Sequence, residues 1–404
     1  MHPEGNVRRS VARCLAVVAS AAAGVFTAGV LTTGPAHAGV TGSARPSVVA
    51  GHGAAAGARQ AATKVALTGV SCSQQRRCLA VGFRGRHFRP PTIAESWNGA
   101  RWRLTAPPPL RGPINVNCIG RSFCLAVGHS QTSQTSNGTA TWNGSRWKVR
   151  HGHQPDVVGQ LSCVSPKFCI NVGVGGFTTL WNGQSWRELH APQPPGTTDI
   201  SLSGVSCTST TFCMAVGAFT TDPDSIVPQT LAETWNGSTW KLIGSPTHNL
   251  TSAFNDVSCT SPTHCTAIGA FFTSQEHDNY RAFNVAGLWD GASWHVMRLP
   301  GAIGFPEGPD NLNQGPDSIS CATASRCMAV GSFENARTRL PDSVAIAWNG
   351  TKWQVTKLPG PRTGIADVSC PSANRCIAVG HVRNRALAER WNGTSWTLLR
   401  TPAV

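Results

Sequence analysis

The feature that most constrains this chain is a pair of cysteines with five residues between them, repeated seven times at unchanged spacing. The pairs are Cys72 and Cys78, Cys118 and Cys124, Cys163 and Cys169, Cys207 and Cys213, Cys259 and Cys265, Cys321 and Cys327, and Cys370 and Cys376. Of the fifteen cysteines only Cys14 stands outside the pattern. Each pair is followed by a short apolar segment ending in glycine, such as "LAVG", "INVG", "MAVG", "TAIG" or "IAVG". Later in each repeat comes a second signature, from "WNGARW" at Trp97 to "WNGTSW" at Trp391, with "WDGASW" in the fifth repeat; it uses all fourteen tryptophans.

One repeat reads as four strands, here called a to d. Strand a carries the first cysteine, b runs from the second cysteine to the glycine, c ends at the first Trp and d starts at the second. Asn-Gly and Asp-Gly are strong hairpin signals because both residues tolerate positive φ. A two-residue loop would set Trp97 against Ala100; a four-residue loop would set the two Trp face to face. Either way the rings share one face of the sheet and pack together. A lone sheet of this size buries little, and strand b is apolar on both faces, so the repeats must stack. Four strands in each of seven repeats of about 50 residues give an all-β, seven-bladed propeller of antiparallel blades. Both ends of the repeat array fall at a repeat boundary, so blade one and blade seven are expected to meet by side-chain packing without sharing a sheet.

Zinc sites favour closer cysteine pairs combined into fours, and a redox centre would appear once. An exported chain meets an oxidising compartment, so each pair is expected to be a structural disulfide within its own repeat. Closing so short a loop is worth about 2 kcal/mol in the chain-entropy model.

The "SWNGARW"-type hairpins resemble the turns of sialidase-type Asp-box propellers and of secreted bacterial kelch-like propellers, from Thr68 to Pro402. The resemblance implies a propeller. An Asp box has one more residue between its acid and its glycine than Asn98-Gly99 allows, and sialidases have six blades. They also use a tyrosine nucleophile with three arginines, whereas the one tyrosine here, Tyr280, lies in a hydrophilic insertion. Catalysis is therefore not carried over.

The N-terminus reads as a targeting segment: Arg8, Arg9 and Arg13, an apolar run from Leu15 to Leu31, then Ala36-His37-Ala38 as a cleavage site. Residues 1–38 are the expected signal peptide, 39–62 an Ala/Gly-rich linker and 63–404 the propeller. The mature chain would be secreted or cell-wall associated, with no later apolar stretch long enough to span a bilayer. The formal charge of +15 becomes +13 once the signal's three arginines and one glutamate are removed. That excess favours anionic partners.

In an up-and-down blade the a–b and c–d turns fall at one end and the variable b–c and d–a connections at the other. Function in such scaffolds usually sits on variable loops. Repeat five has the longest of both. Its b–c insertion holds Phe271, Phe272, Glu276, His277, Asp278, Tyr280 and Arg281, a mix suited to sugar or peptide recognition. Lesser candidates are the basic run Arg84, Arg86, His87 and Arg89, the His151-x-His153 pair near Asp156, and His129 and His381 after strand b. No catalytic residue, cofactor or metal site is expected. The leading expectation is a monomeric, exported, non-catalytic binding module for a cell-wall or extracellular glycan, anionic polymer or protein, with no specific nucleic acid partner. The alternative is a glycan-active hydrolase or lyase of sialidase-like propeller type, and a third reading is an envelope-organising protein without a small ligand.

Overall fold

The computed structural model describes residues 64–403, apart from the stretches 86–89, 132–136, 152–158, 223–227, 247–250, 276–278, 301–314, 335–340 and 361–362. The signal and linker expected at 1–38 and 39–62 lie outside the described residues. Twenty-eight strands form seven four-stranded antiparallel sheets, each built from four consecutive strands. In blade 4 the strands are Asp199–Ser209, Phe212–Thr220, Gln229–Trp235 and Trp240–Leu242. The first strands of neighbouring blades touch all the way round, including that of blade 1 (Val65–Gln74) with that of blade 7 (Thr363–Ser372). Strand a is therefore innermost, and the molecule is a seven-bladed β-propeller.

All seven cysteine pairs form disulfides within their own blades. The c–d hairpin has a four-residue loop, so Trp97 lies directly opposite Trp102 and the same pairing recurs in every blade. Ring centroids are 5.4 to 5.7 Å apart in all seven pairs. The loop length follows from the asparagine side chain. Asn98 Oδ1 accepts the backbone N–H groups of Ala100 and Arg101, both at 3.0 Å, while Gly99 turns the chain at φ 95°. In blades 3 to 6 the first Trp ties the two turns together: Trp235 Nε1, for example, donates to the Thr210 carbonyl in the a–b turn at 3.1 Å.

In blades 1, 4, 5, 6 and 7 the glycine that closes the apolar segment of strand b answers to a bulge in strand a. Pairing slips between Leu202 and Gly204, which pushes the backbone toward strand b. A β-carbon on Gly217 would overlap the carbonyl oxygen of Ser201, so no side chain fits there.

The core is divided among the junctions. Each of seven buried clusters combines the Trp-bearing face of one blade with the opposite face of the blade before it. Trp235 and Trp240 of blade 4 pack with Ile170 and Val172 of blade 3. This is why strand b is apolar on both faces. At the closure, Trp97 and Val65 of blade 1 share a cluster with Ile377 and Val379 of blade 7, with no shared sheet.

Nearer the axis a polar ladder links the blades. The serine before the first cysteine accepts the N–H of the next blade's first cysteine: Cys118 to Ser71, Cys207 to Ser162, Cys259 to Ser206, Cys321 to Ser258 and Cys370 to Ser320 at 2.9 Å, and Cys72 to Ser369 at 3.0 Å. Blade 2 has Asn117 at this position, and there Asn115 Nδ2 donates instead to Gln160 Oε1 at 2.9 Å.

Candidate functional site

Every blade has the same turn architecture, so a site must arise where one blade departs from the repeat. Blade 5 does so at its c–d hairpin, where Asp290 replaces the asparagine of the other six. Asp290 Oδ1 makes the usual turn bonds to the N–H groups of Ala292 and Ser293, both at 2.8 Å. Its second oxygen is then free for a partner that an asparagine could not serve in the same way. His295, one residue past the second Trp, brings Nε2 to 2.7 Å from Asp290 Oδ2, and Ser293 Oγ donates to the same oxygen at 3.2 Å. The His295 hydrogen bond, with the two backbone amides, holds the Asp290 carboxyl far below the usual carboxylate range. Both side chains are exposed, so water screens the pair; it orders the turn rather than stabilising the fold.

This pair lines a groove of about 470 Å³ between blades 5 and 6, at the end of the ring that carries the a–b and c–d turns. Trp289 and Trp348 line it, with Ser258, Thr260 and Thr266 from blade 5 and Thr323, Ala324 and Ser325 from blade 6. His264 stands at the edge with Nδ1 3.1 Å from Ser261 Oγ and 3.0 Å from Thr263 Oγ1. The short side chains of the blade 6 turn leave the space open. An acid–imidazole pair, a second imidazole, several hydroxyls and indole edges suit a ligand rich in hydroxyl or amide groups.

The insertion residues lie at the opposite end of the same blade. The insertion, expected as a loop, is instead a continuation of strands b and c, which run His264–Gln275 and Asn279–Trp289. The physical reason is that continued pairing satisfies backbone groups that a long loop would leave to water. Tyr280 lies opposite Ser274, Arg281 opposite Thr273 and Phe272 opposite Ala282 in the register. Phe271 is buried, at 4% exposure, opposite Phe283. Glu276, His277 and Asp278 lie outside the described residues, as do Arg86, His87, Arg89, His153 and Asp156; Arg84 ends strand b of blade 1 and His151 is exposed. His129 bonds Asn137 at 3.2 Å, and burial with nearby Lys64 pulls His381 down to about 4. Among the described residues no group of three or more His, Cys, Asp or Glu is placed to hold a metal ion, and no helix is long and apolar enough to cross a membrane.

Three further carboxyls are unexpected. Glu95, Glu233 and Glu389 sit two residues before the first Trp of blades 1, 4 and 7, fully buried, with neither oxygen hydrogen-bonded. Burial raises them to about 7, about 8 and about 7. Each faces a leucine across the c–d pair, Leu104, Leu242 or Leu398. They are closed off inside the blades rather than presented to a ligand. The sequence signal for them is the triplet "AES", "AET" and "AER" before Trp; the signal for the groove is the single "WDG".

No family model matches the chain, and no curated protein matches it. Among solved structures it is similar to the β-propeller domain of the Trilobed protease from Pyrococcus furiosus, with a TM-score of 0.51 and 10% identity over 83% of this chain and 98% of that one. It also matches YCF48 from Cyanidioschyzon merolae, with a TM-score of 0.49 and 12% identity over 82% and 96%, and a fucose-specific lectin from Aleuria aurantia, with 0.41 and 10% over 83% and 94%. The Pyrococcus domain is described as having an open velcro topology. At these identities the likeness is one of fold, and the fold is the β-propeller.

Proposed function

We propose that this protein is an exported, non-catalytic binding module that seats an extracellular glycan or similarly polar ligand in the groove between blades 5 and 6. The observation that carries the reading is the Asp290–His295 pair, the one place among the described turns where the repeated hairpin acquires an ionisable pair beside an open groove. Seven disulfides fit an oxidising, extracellular setting. Two carboxylates flanking one substrate would favour a glycosidase, and Asp290 is the sole carboxylate among the groove-lining residues.

The test is a glycan and cell-wall polymer array probed with the chain from residue 39 onward, followed by titration of the best ligand. Asp290→Asn restores the hairpin of the other blades, and His295→Gln removes the imidazole; neither change should alter the melting temperature. Each is expected to weaken capture about tenfold, the loss of one good polar anchor. Unchanged affinity in both variants, together with a loss in Tyr280→Ala/Arg281→Ala, would move the site to the opposite end of blade 5. Shortening of the bound glycan by the parent protein would replace the binding reading with the enzymatic one.

A further inference from the structure

The end of the ring that carries the groove is not uniform in charge. In blades 1 to 3 its turns carry Arg76, Arg77, Arg101, Arg121, Arg146 and Lys167, all exposed. None of the six has an ion-pair partner among the described residues, and their turns contain no acid. The only carboxylates among the described residues of these three blades are Glu95, which is buried, and Glu188, on the outer strand of blade 3. Within each of these blades the a–b and c–d turns lie side by side. A β-carbon on Gly99 would be 2.8 Å from Arg76 Cγ, and one on Gly183 would be 3.1 Å from Lys167 Cγ. These two hairpin glycines thus leave room for the aliphatic stems of Arg76 and Lys167, both exposed side chains.

From this we infer that the turn face of blades 1 to 3 is a docking surface for a linear phosphodiester polymer of the cell exterior. Five of the six cations are arginines, whose planar forks match phosphate oxygens in pairs. Six unpaired charges on three adjacent blades favour a flexible chain with closely spaced negative groups over a single small anion. Of the tryptophans of these blades, Trp97, Trp102, Trp181 and Trp186 are buried, and Trp142 and Trp147 of blade 2 are half-buried against each other. One half-buried pair in a single blade is a small platform for stacked bases or sugar rings, whereas the six charges extend over three blades, and this favours a ring-free polyol phosphate over single-stranded nucleic acid. This surface is separate from the groove, and the inference rests on the proposed function only for its export, not for its ligand.

The experiment uses the chain from residue 39 onward and immobilised polyglycerol phosphate, with polygalacturonate as a carboxylate polymer and neutral dextran as the blank. The quadruple variant Arg76→Glu, Arg101→Glu, Arg121→Glu, Arg146→Glu is compared with Arg84→Glu, Arg111→Glu, Arg383→Glu, Arg385→Glu. The second set changes the net charge equally at the other end of the ring. A third protein carries Gln at the first four positions, so that a folding defect from charge reversal is separated from lost binding. The parent is expected to prefer polyglycerol phosphate and to release it steeply as salt rises. The turn-face variants are expected to lose about tenfold or more in affinity and most of the salt dependence, with melting temperatures near the parent's; the opposite-end variant is expected to keep both. Failure of the parent to capture polyglycerol phosphate, a preference for polygalacturonate, or an equal loss in the two charge-reversed proteins would overturn the inference. Loss of groove ligands by Asp290→Asn leaves this result untouched, so the two readings fail separately.

Discussion

The backbone N–H of Val70 donates to Asp367 Oδ2 at 2.7 Å, tying the innermost strand of blade 1 to that of blade 7. The other carboxylate oxygen accepts Ser318 Oγ at 2.7 Å and the N–H of Val368 at 2.8 Å. One side chain therefore spans blades 6, 7 and 1. No strand crosses the closure, so this carboxyl, the Ser369–Cys72 bond, a backbone bond from the Val65 N–H to the Asn384 carbonyl at 3.2 Å and the shared apolar cluster hold the two ends together.

Asp367→Ala should weaken that closure. It removes three hydrogen bonds and leaves the Val70 N–H without this acceptor near the axis, a loss of about 2 to 3 kcal/mol. Asp367→Asn should do almost as badly, because its amide nitrogen would face the Val70 donor. The expected outcome is a fall in melting temperature of several degrees and faster hydrogen exchange at Val70 than at Val205, the matching position of blade 4. Equal exchange at the two sites would mean that the remaining contacts close the ring without the Asp367 carboxyl.

The buried glutamates make stability depend on pH. In the unfolded chain Glu95, Glu233 and Glu389 release their protons near pH 4.5; in the ring they keep them until about 7, about 8 and about 7. Between those values the folded state binds more protons, so stability falls as pH rises from about 4.5 to about 8. Asp256, Asp317 and Asp367, raised by burial to about 8, about 7 and about 6, act in the same direction. His381, lowered to about 4, acts the other way below its ordinary 6.5. Thermal scans should show a melting temperature that declines from pH 5 to pH 9. The triple Glu→Gln variant should flatten the decline without abolishing it, because the aspartates remain. A melting temperature that rises toward pH 9 would show that the glutamates are ionised in the folded protein.

The architecture was legible in the sequence because each blade repeats its own constraints. Cys207 and Cys213 state the a–b hairpin, and Trp235 and Trp240 state the c–d hairpin. Seven copies leave little choice of fold. What the spacing could not decide was the loop length, since it depends on Asn98 Oδ1 taking two amides. The role of Gly217 was hidden as well, because the bulge that demands it is a backbone event in another strand. The insertion was misjudged as a loop because its polar residues resemble loop composition, although pairing of Thr273 with Arg281 and Ser274 with Tyr280 carries the hairpin on. Asp290 was visible as the single "WDG", but its consequence needs His295 to be turned toward it, which only the fold can show.

The serine ladder leaves one step to complete. At the junction of blades 2 and 3, Asn117 stands where the other six blades have Ser71, Ser162, Ser206, Ser258, Ser320 and Ser369. The Cys163 N–H consequently lacks the bond that its six counterparts make at 2.9 to 3.0 Å. Asn117→Ser should supply it, since serine fits the equivalent position in every other blade. One net hydrogen bond to a part-buried donor is worth about 1 kcal/mol, and for a chain of this size that is a rise of about 2 °C in melting temperature. The Asn115–Gln160 pair beside it should persist, since it uses the residue two positions earlier in the same strand. The reverse change, Ser206→Asn, removes the bond to Cys259 and should lower the melting temperature by a similar amount. Calorimetry on the two variants and the parent decides the matter. If Asn117→Ser is neutral while Ser206→Asn is destabilising, the blade 2–3 junction is already satisfied by its amide pair, and the ladder contributes only where that pair is missing.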